Sequence, residues 1–392
     1  MEVEWTVVLI AHLTHTEVLS DARILRELNA LGAQPDWNVH AYGARAKKPK
    51  SGRRQFTVTE FTVLSAWAGR LPRALRYTLV MIELNTRLLR HLYEHPPDIV
   101  HCHDAMILPA GAIARVTLGS TLVYDAHELE SDKNGQSAAL SKATLLVERA
   151  AWPLIDALIS VSPSIVTWYH QHLGPKPSLC LLNSPELRAP DQPGQSRPAG
   201  IRSIVGVGPE EPLYVYVGEL SRGRGLGVIT DVFESEGIDA HVAFVGDGEY
   251  TEELVQLAAK HPNIHRCEPV AHDTLVEFIR DADGGFCLIE DVSLSDHYCL
   301  PNKLFEYSFA GLPVIASRLP DITDYVQRYS LGACIDTTAE QLTDVIQKGL
   351  RKNSQPRARL EPLSWQTQAG HLLTLYRDLL QRSPRRRRTR RR

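Results

Sequence analysis

Residues 282–317, ADGGFCLIEDVSLSDHYCLPNKLFEYSFAGLPVIAS, set the reading of the whole chain. The apolar run GFCLI has the length of a buried strand. A polar loop, Glu290 to Tyr298, follows it. Pro301 and Asn302 stand where a helix starts, with Lys303 to Ala310 as its first turns. Gly311 and Pro313 stop that helix, and PVIAS is the next strand. Such a unit places a helix N-terminus beside the carboxyl ends of parallel strands, where α/β sheets hold phosphate-bearing ligands.

The same alternation extends through both halves. Ahead of the unit, LYVYVGEL, AHVAFVGDG and NIHRCEPV read as strands, and GLGVITDVF, TEELVQLAAKH and DTLVEFIRDA as helices. Behind it come the strand LGACID, the helix TAEQLTDVIQKGLRK and the amphipathic helix 364–382, apolar at Leu372, Leu373, Tyr376, Leu379 and Leu380. In the first half, strands are expected at 6–12, 37–43, 56–64, 96–104, 120–130, 157–162 and 180–187. Helices are expected at 21–32, at 66–95 (with Trp67, Arg70, Arg73, Arg76 and Arg87), in LPAGAIARV and at about 142–152. Residues 189–212 are rich in Pro, Gly and Ser, a linker with room for a short strand. Alternating strand and helix in both halves predicts two doubly wound parallel sheets. The domains are then 1–188, a linker 189–212, 213–363, a C-terminal helix 364–382 and an Arg-rich tail 383–392.

A length of 392 residues exceeds one ordinary core. The net charge of −3 conceals an acidic body: the tail SPRRRRTRRR holds seven Arg, without which 36 basic residues face 46 acidic ones. That balance excludes a nucleic-acid-binding fold. Six scattered Cys without a C-x-x-C pair suit a reducing, cytoplasmic setting. The acidic start MEVEWTVVLI is no signal peptide, and no run reaches membrane-span length. The basic loop 44–54, the Arg-bearing helix 66–95 and the tail suggest peripheral contact with an anionic membrane, at its inner face.

Four features carry chemistry. Gly218 to Gly227, GELSRGRGLG, lies between a strand and a helix: glycines admit an anion, and Arg222 and Arg224 neutralise it. A plain Gly-rich surface turn is the competing reading. Gly246-Asp247-Gly248 is a second such junction, either nucleotide-lining or a simple β–α turn. Glu306, early in its helix, is placed either to accept both hydroxyls of a ribose or to favour the helix dipole. His101, His103 and Asp104 end one strand, and Asp125, His127 and Glu128 end the next, forming a polar rim. Satisfied loop histidines are one reading of that rim; a metal site is the other, since His and carboxylates are suitable ligands, but no H-E-x-x-H or similar spacing supports it.

Taken together, LPNKLFEYSFAGLPVIAS, VGELSRGRGL, FVGDGE, VHCHD, VYDAHEL and DARILREL resemble a retaining glycosyltransferase of the GT-B fold, family 4, also called glycosyl transferases group 1. The resemblance spans nearly the whole chain in the family's order. It implies two Rossmann-like domains facing a cleft, the first for the acceptor and the second for a nucleotide-sugar donor, with the last helix crossing back to the first. The family's Glu-x7-Glu pair falls on Tyr298 and Glu306. Glu306 matches the ribose-binding Glu, and Tyr298 replaces the Glu that contacts the donor sugar. Asn302 and Lys303 are expected to take over part of that contact. The phosphate-binding Arg and Lys fall on Glu219 and Arg224, with Arg222 compensating; Gly218 opens that turn. His103 matches the active-site histidine, and Gly246 and Val270 lie in loops lining the nucleotide.

What the resemblance implies is transfer of a hexosyl or N-acetylhexosaminyl group from a nucleotide diphosphate sugar to a glycan, glycolipid or small molecule, with retention. His103, Arg224 and Glu306 carry the chemistry, and no metal or other cofactor is expected. Two alternatives stay open: a catalytically weakened nucleotide-sugar-binding partner subunit, suggested by Tyr298 and Glu219, and a GT-B nucleotide-sugar epimerase.

Overall fold

In the computed structural model, residues 7–44, 54–63, 72–188, 199–350 and 355–382 are described. The chain divides into two compact units, Met1–Leu181 with Ala369–Arg392, and Leu182–Gln368. Each is built on one parallel sheet flanked by helices.

The first unit holds seven strands: β1 (Val8–Leu13), β2 (Trp37–Ala44), β3 (Thr57–Phe61), β4 (Ile99–His103), β5 (Thr121–Ala126), β6 (Ala157–Ser160) and β7 (Ser178–Cys180). Their order is β3-β2-β1-β4-β5-β6-β7, parallel throughout. Helices cover both faces, so the central strands are apolar without interruption: Ile99, Val100, Leu122, Val123 and Leu158 are fully buried. The helix Ala22–Gly32 starts where Asp21 accepts the backbone N–H of Arg23 and Ile24, at 2.9 and 3.1 Å.

The second unit holds β8 (Leu213–Val217), β9 (His241–Val245), β10 (Ile264–Cys267), β11 (Gly284–Cys287), β12 (Val314–Ser317) and β13 (Gly332–Ile335). Their order is β10-β9-β8-β11-β12-β13, again parallel. Tyr214, Phe233 and Phe286 pack as an aromatic cluster, with ring centroids 5.5–6.4 Å apart. The Gly284-Gly285 pair in β11 is explained by its neighbours. A Cβ on Gly285 would strike the Tyr307 ring, and one on Gly284 would come within 2.9 Å of Tyr214. Both sheets reverse direction of growth beside their first strand, between β1 and β4 and between β8 and β11, and such switch points open the crevices that receive ligands.

Several elements depart from expectation. The linker carries a short helix, Ile201–Val205, where a strand was expected; Gly206 in the left-handed region ends it. The long first-half helix is described from Arg73 to Glu94, so Trp67 and Arg70 lie outside the described residues. Most of 44–54, 189–198 of the linker and the tail 383–392 lie outside them too. The helix expected from about 142 begins at Ala138, because Ser137 caps it by accepting from Leu140 N. The helices Pro163–Leu173 and Pro320–Tyr329 were not anticipated; each opens on a proline, suited by its fixed φ to a first turn. The last helix, Trp365–Arg382, enters the first unit at Ala369 and buries Leu372, Tyr376, Leu379 and Leu380.

Candidate functional site

In the second unit the loops after β8, β9 and β11 are tied to one another. Val217 N donates to the Tyr307 hydroxyl at 2.8 Å, which donates to Phe286 O at 3.2 Å, so one side chain of the helix Asn302–Phe309 spans the β8/β11 switch point. Gly218 N donates to Val245 O and Leu220 N to Asp247 O. Gly246, with φ +154, lies so close to the Gly218 carbonyl that a Cβ there would overlap it, and a Cβ on Gly248 would lie 2.5 Å from Leu220 O. Gly225, left-handed at φ +66, caps the helix Leu226–Glu234 and passes hard against Leu288. Glu290 N donates to Gly223 O at 3.0 Å. The glycines are therefore required by close backbone approach.

Charged side chains surround these loops in distinct states. Lys303 is 9% exposed, and its Nζ sits 3.9 Å from the Tyr216 ring centroid, a cation–π contact. It lies beside Gly218, and among the described residues it has no ion-pair partner. Arg224 is a third exposed, 3.9 Å from Asp296. Arg222 is open to solvent, its backbone N–H and guanidinium both directed to Glu249. Glu306 is buried, with His272 Nδ1 3.9 Å away. Asn302 begins its helix without any side-chain cap, since Pro301 precedes it. Tyr298 is half-buried, closing the single turn Leu294–His297 within the expected loop and meeting His297 edge-to-face. Val270 is half-buried just ahead of the helix His272–Ile279. The structure thus joins Gly218, Gly246 and Lys303 directly, and sets Arg222 and Arg224 against acids of their own. His272, Asp296 and Tyr307 are additions; only the tyrosine could have been anticipated, as a large side chain facing a Gly-Gly strand.

The first unit's switch point is filled by side chains. Arg23 forms a two-pronged bond to Asp125, at 3.0 and 2.8 Å, and a third bond to Leu181 O. Glu27 lies one turn along the same helix, its Oε1 3.2 Å from Arg23 Nε. His12, His101 and His103 stack beside them, all 1% exposed or less. His12 Nδ1 is 2.9 Å from His103 Nε2, and His103 Nδ1 is 3.1 Å from His127 Nε2. From the last helix, the Tyr376 hydroxyl lies 2.5 Å from His101 Nδ1 and 3.3 Å from His12 Nε2. His127, 18% exposed, is the outward imidazole, set between Asp125 at 3.2 Å and Asp104 at 3.8 Å. Asp104 sits in the left-handed region at φ 68. Glu128 is exposed.

The electrostatics follow from burial and neighbours. Burial lowers His12, His101 and His103 below the usual imidazole range, His101 to about 3, so all three are neutral. Burial also opposes charge on His127, but Asp104 and Asp125 outweigh it and raise it to about 10. Burial pushes the Asp104 carboxyl up; His127, His15 and Lys133 overcome that and leave it at about 2. Burial and Asp125 together hold Glu27 above the carboxylate range.

By residue type, His12, Glu27, His101 and His103 or His103, Asp125 and His127 could ligate an ion, each group lying within 4.8 Å. The fixed Arg23 cation and the hydrogen bonds between imidazoles disfavour one. Sequence reasoning found His101, His103, Asp125 and His127 but not Arg23 or Glu27. A signal existed: Glu27 is three residues after Ile24 and four before Leu31, on the buried face of its helix.

Two family models match the chain, one described as glycosyl transferase 4-like domain over residues 22–183, the other as glycosyl transferases group 1 over residues 200–362. A search of curated proteins finds no match. Among solved structures, sucrose-phosphate synthase from Thermosynechococcus elongatus is similar at TM-score 0.76 and 16% identity, covering 96% of this chain and 100% of that one. Anabaena HepE in complex with UDP-glucose is similar at TM-score 0.69 and 16% identity, covering 94% and 99%. An E. coli structure titled as trehalose-6-phosphate bound with UDP-2-fluoro glucose reaches TM-score 0.63 at 10% identity, covering 95% and 99%. With both of its units matched in order and its two parallel sheets shared with these structures, the chain belongs to the group 1 glycosyltransferases, of GT-B architecture.

Proposed function

We propose that the protein transfers a sugar from a nucleotide diphosphate sugar to an acceptor, with retention of anomeric configuration. The observation that carries this reading is Lys303: a buried ammonium without an ion-pair partner among the described residues, beside Gly218 and one residue into a helix with no side-chain cap. A diphosphate supplies the charge that such a group calls for. In this reading Lys303, Arg224, Arg222 and the N–H groups at Asn302 stabilise the leaving diphosphate as charge develops on it. Glu306 takes the ribose, Gly218, Gly246 and Val270 line the nucleotide, and Tyr298 stands near the donor sugar. The donor phosphate receives the acceptor's proton, so neither a metal nor a strong protein base is required. His103 and its neighbour His127 act on the acceptor side.

HepE in complex with UDP-glucose and the E. coli structure bound with UDP-2-fluoro glucose favour a UDP-sugar as the first donor to try. The acceptor is a glycan, glycolipid or small molecule. Among the described residues no helix is long and apolar enough to cross a membrane. Contact with an anionic membrane surface, through basic stretches mostly outside the described residues, belongs to the same proposal.

A thermal-shift screen across UDP-, GDP-, ADP- and dTDP-sugars tests the donor site, since a ligand of the folded state raises Tm. The responding sugar is then assayed for transfer to an acceptor pool, with the anomeric configuration of the product read by NMR. A shift without turnover would favour a weakened binding subunit, the reading that Tyr298 in place of an acid supports. Turnover of donor alone to an epimer would favour an epimerase. No shift with any nucleotide sugar would sink all three.

A further inference from the structure

The five groups Tyr376, His12, His101, His103 and His127 form one continuous hydrogen-bond chain, and its outer end sets the direction. At the outer end, both ring nitrogens of His127 face carboxylates, Asp104 and Asp125, so both carry protons. Asp125 Oδ2 lies beside the pair, 3.2 Å from His127 Nε2 and 3.4 Å from His103 Nδ1, but the hydrogen-bond line of His127 Nε2 runs to His103 Nδ1, 3.1 Å away, so the imidazolium donates and His103 Nδ1 accepts. A neutral imidazole carries one proton, so His103 holds its own on Nε2 and donates to His12 Nδ1. By the same rule His12 Nε2–H donates to the Tyr376 oxygen, and the Tyr376 hydroxyl donates to His101 Nδ1. His101 must then bear its proton on Nε2. That atom is buried with no other hydrogen-bond partner, and faces Asp125 at 3.6 Å and Glu27 at 3.7 Å. Asp125 is kept ionised by Arg23. The reverse direction would bring two protons together between His103 Nδ1 and the doubly protonated His127.

We infer that Tyr376 and His12 are positioning residues for His103: the one-way chain holds it in the Nε2–H tautomer, so that Nδ1 always accepts from His127 and fixes that imidazolium at the rim. Its catalytic consequence rests on the functional reading above, in which this pair meets the acceptor; the tautomer assignment does not. The charges packed around the chain are Arg23 and Glu27 from the first helix, Asp125 from β5, and Asp104, His15 and Lys133 from the loops. The raised His127 and lowered His12, His101 and His103 agree with one cation followed by neutral rings.

The test is ring-¹⁵N NMR of the full chain with labelled histidine, at pH 7.5, resonances assigned by single His→Gln variants. Expected are Nε2–H tautomers for His12, His101 and His103 and a doubly protonated His127. In Tyr376→Phe, which preserves shape but removes the bridge, the His103 tautomer ratio moves by about fivefold. An Nδ1–H form of His103 in the wild type, or an unmoved ratio in a folded Tyr376→Phe, overturns the proposal. So does a stoichiometric metal with ligated-imidazole shifts. In assays with UDP-glucose, or whichever sugar the screen selects, Tyr376→Phe lowers kcat about fivefold with donor KM unchanged. If no donor turns over in the wild type, the functional reading fails while the tautomer result still decides this one.

Discussion

The two sheets grow in the same order, yet their switch points are finished by opposite means. In the first unit the position beside β1 is packed with charged and titratable side chains, most of them hydrogen-bonded to one another and nearly all withdrawn from solvent. In the second, the position beside β8 is made of backbone: Gly218, Gly246 and Gly248 bring loops within touching distance, and Lys303 is held without a counter-charge among the described residues. A network bonded largely within itself is rigid and specific. A glycine-lined cradle with an uncompensated cation, in the function proposed above, is finished by the donor's diphosphate. One topology can thus serve orientation in one unit and binding in the other.

The largest effect should come from breaking the satisfied network. Arg23→Met leaves Asp125 as a buried, uncompensated charge and is expected to cost about 3–5 kcal/mol of stability in urea denaturation. A loss below about 1 kcal/mol would mean that the network relaxes, and the contrast with the second unit would fall.

The cradle should behave differently. Lys303→Met and Glu306→Ala are each expected to weaken UDP binding by about 1.5–3 kcal/mol in calorimetric titration. Since Lys303 has no ion pair to lose among the described residues, Lys303→Met should leave Tm nearly unchanged. Unaltered UDP and GDP affinity in both variants removes the cradle from nucleotide binding.

A subtler difference appears with pH. Burial holds His101 at about 3 in the folded protein, against about 6.5 unfolded. The stability conferred by keeping it neutral is complete above the unfolded value and is lost as pH falls toward the folded one. Relative to His101→Gln, the wild type should therefore lose about 2 kcal/mol between pH 7 and pH 5. Parallel pH curves for the two proteins would show that His101 is not kept neutral. The smallest effect is expected at Arg222, whose side chain is 84% exposed. Arg222→Ala should cost under about 1 kcal/mol of UDP affinity, and a larger loss would move the anion outward from Lys303 toward the loop tip.

Much of this was legible before any coordinates. Continuous apolar runs ending in glycine or polar residues mark the strands, because parallel strands covered on both faces are apolar throughout and their carboxyl ends open into loops. The helices Pro163–Leu173 and Pro320–Tyr329 escaped because each follows its strand within three residues, so the apolar run and the first helical turn merge. In the linker, Ile201–Val205 has strand-like residues, but Gly206 and Arg202, which bonds Asp281, Asp283 and two carbonyls, hold it as a helical turn. The cluster was half visible. His101 and His103 alternate on a strand, but Tyr376 reaches them across 275 residues, a pairing that local pattern does not encode.

That last contact also bears on how the protein is made. A chain leaving the ribosome folds domain by domain from its start. Here the first unit begins folding with β1 yet needs the hydroxyl of residue 376 to complete its histidine chain. Until then His12 and His101 share an open end, and the first unit waits, competent but unfinished, while the entire second unit is synthesised. The earliest-made half is therefore the last to be locked, and its histidine chain closes only after the second unit has emerged.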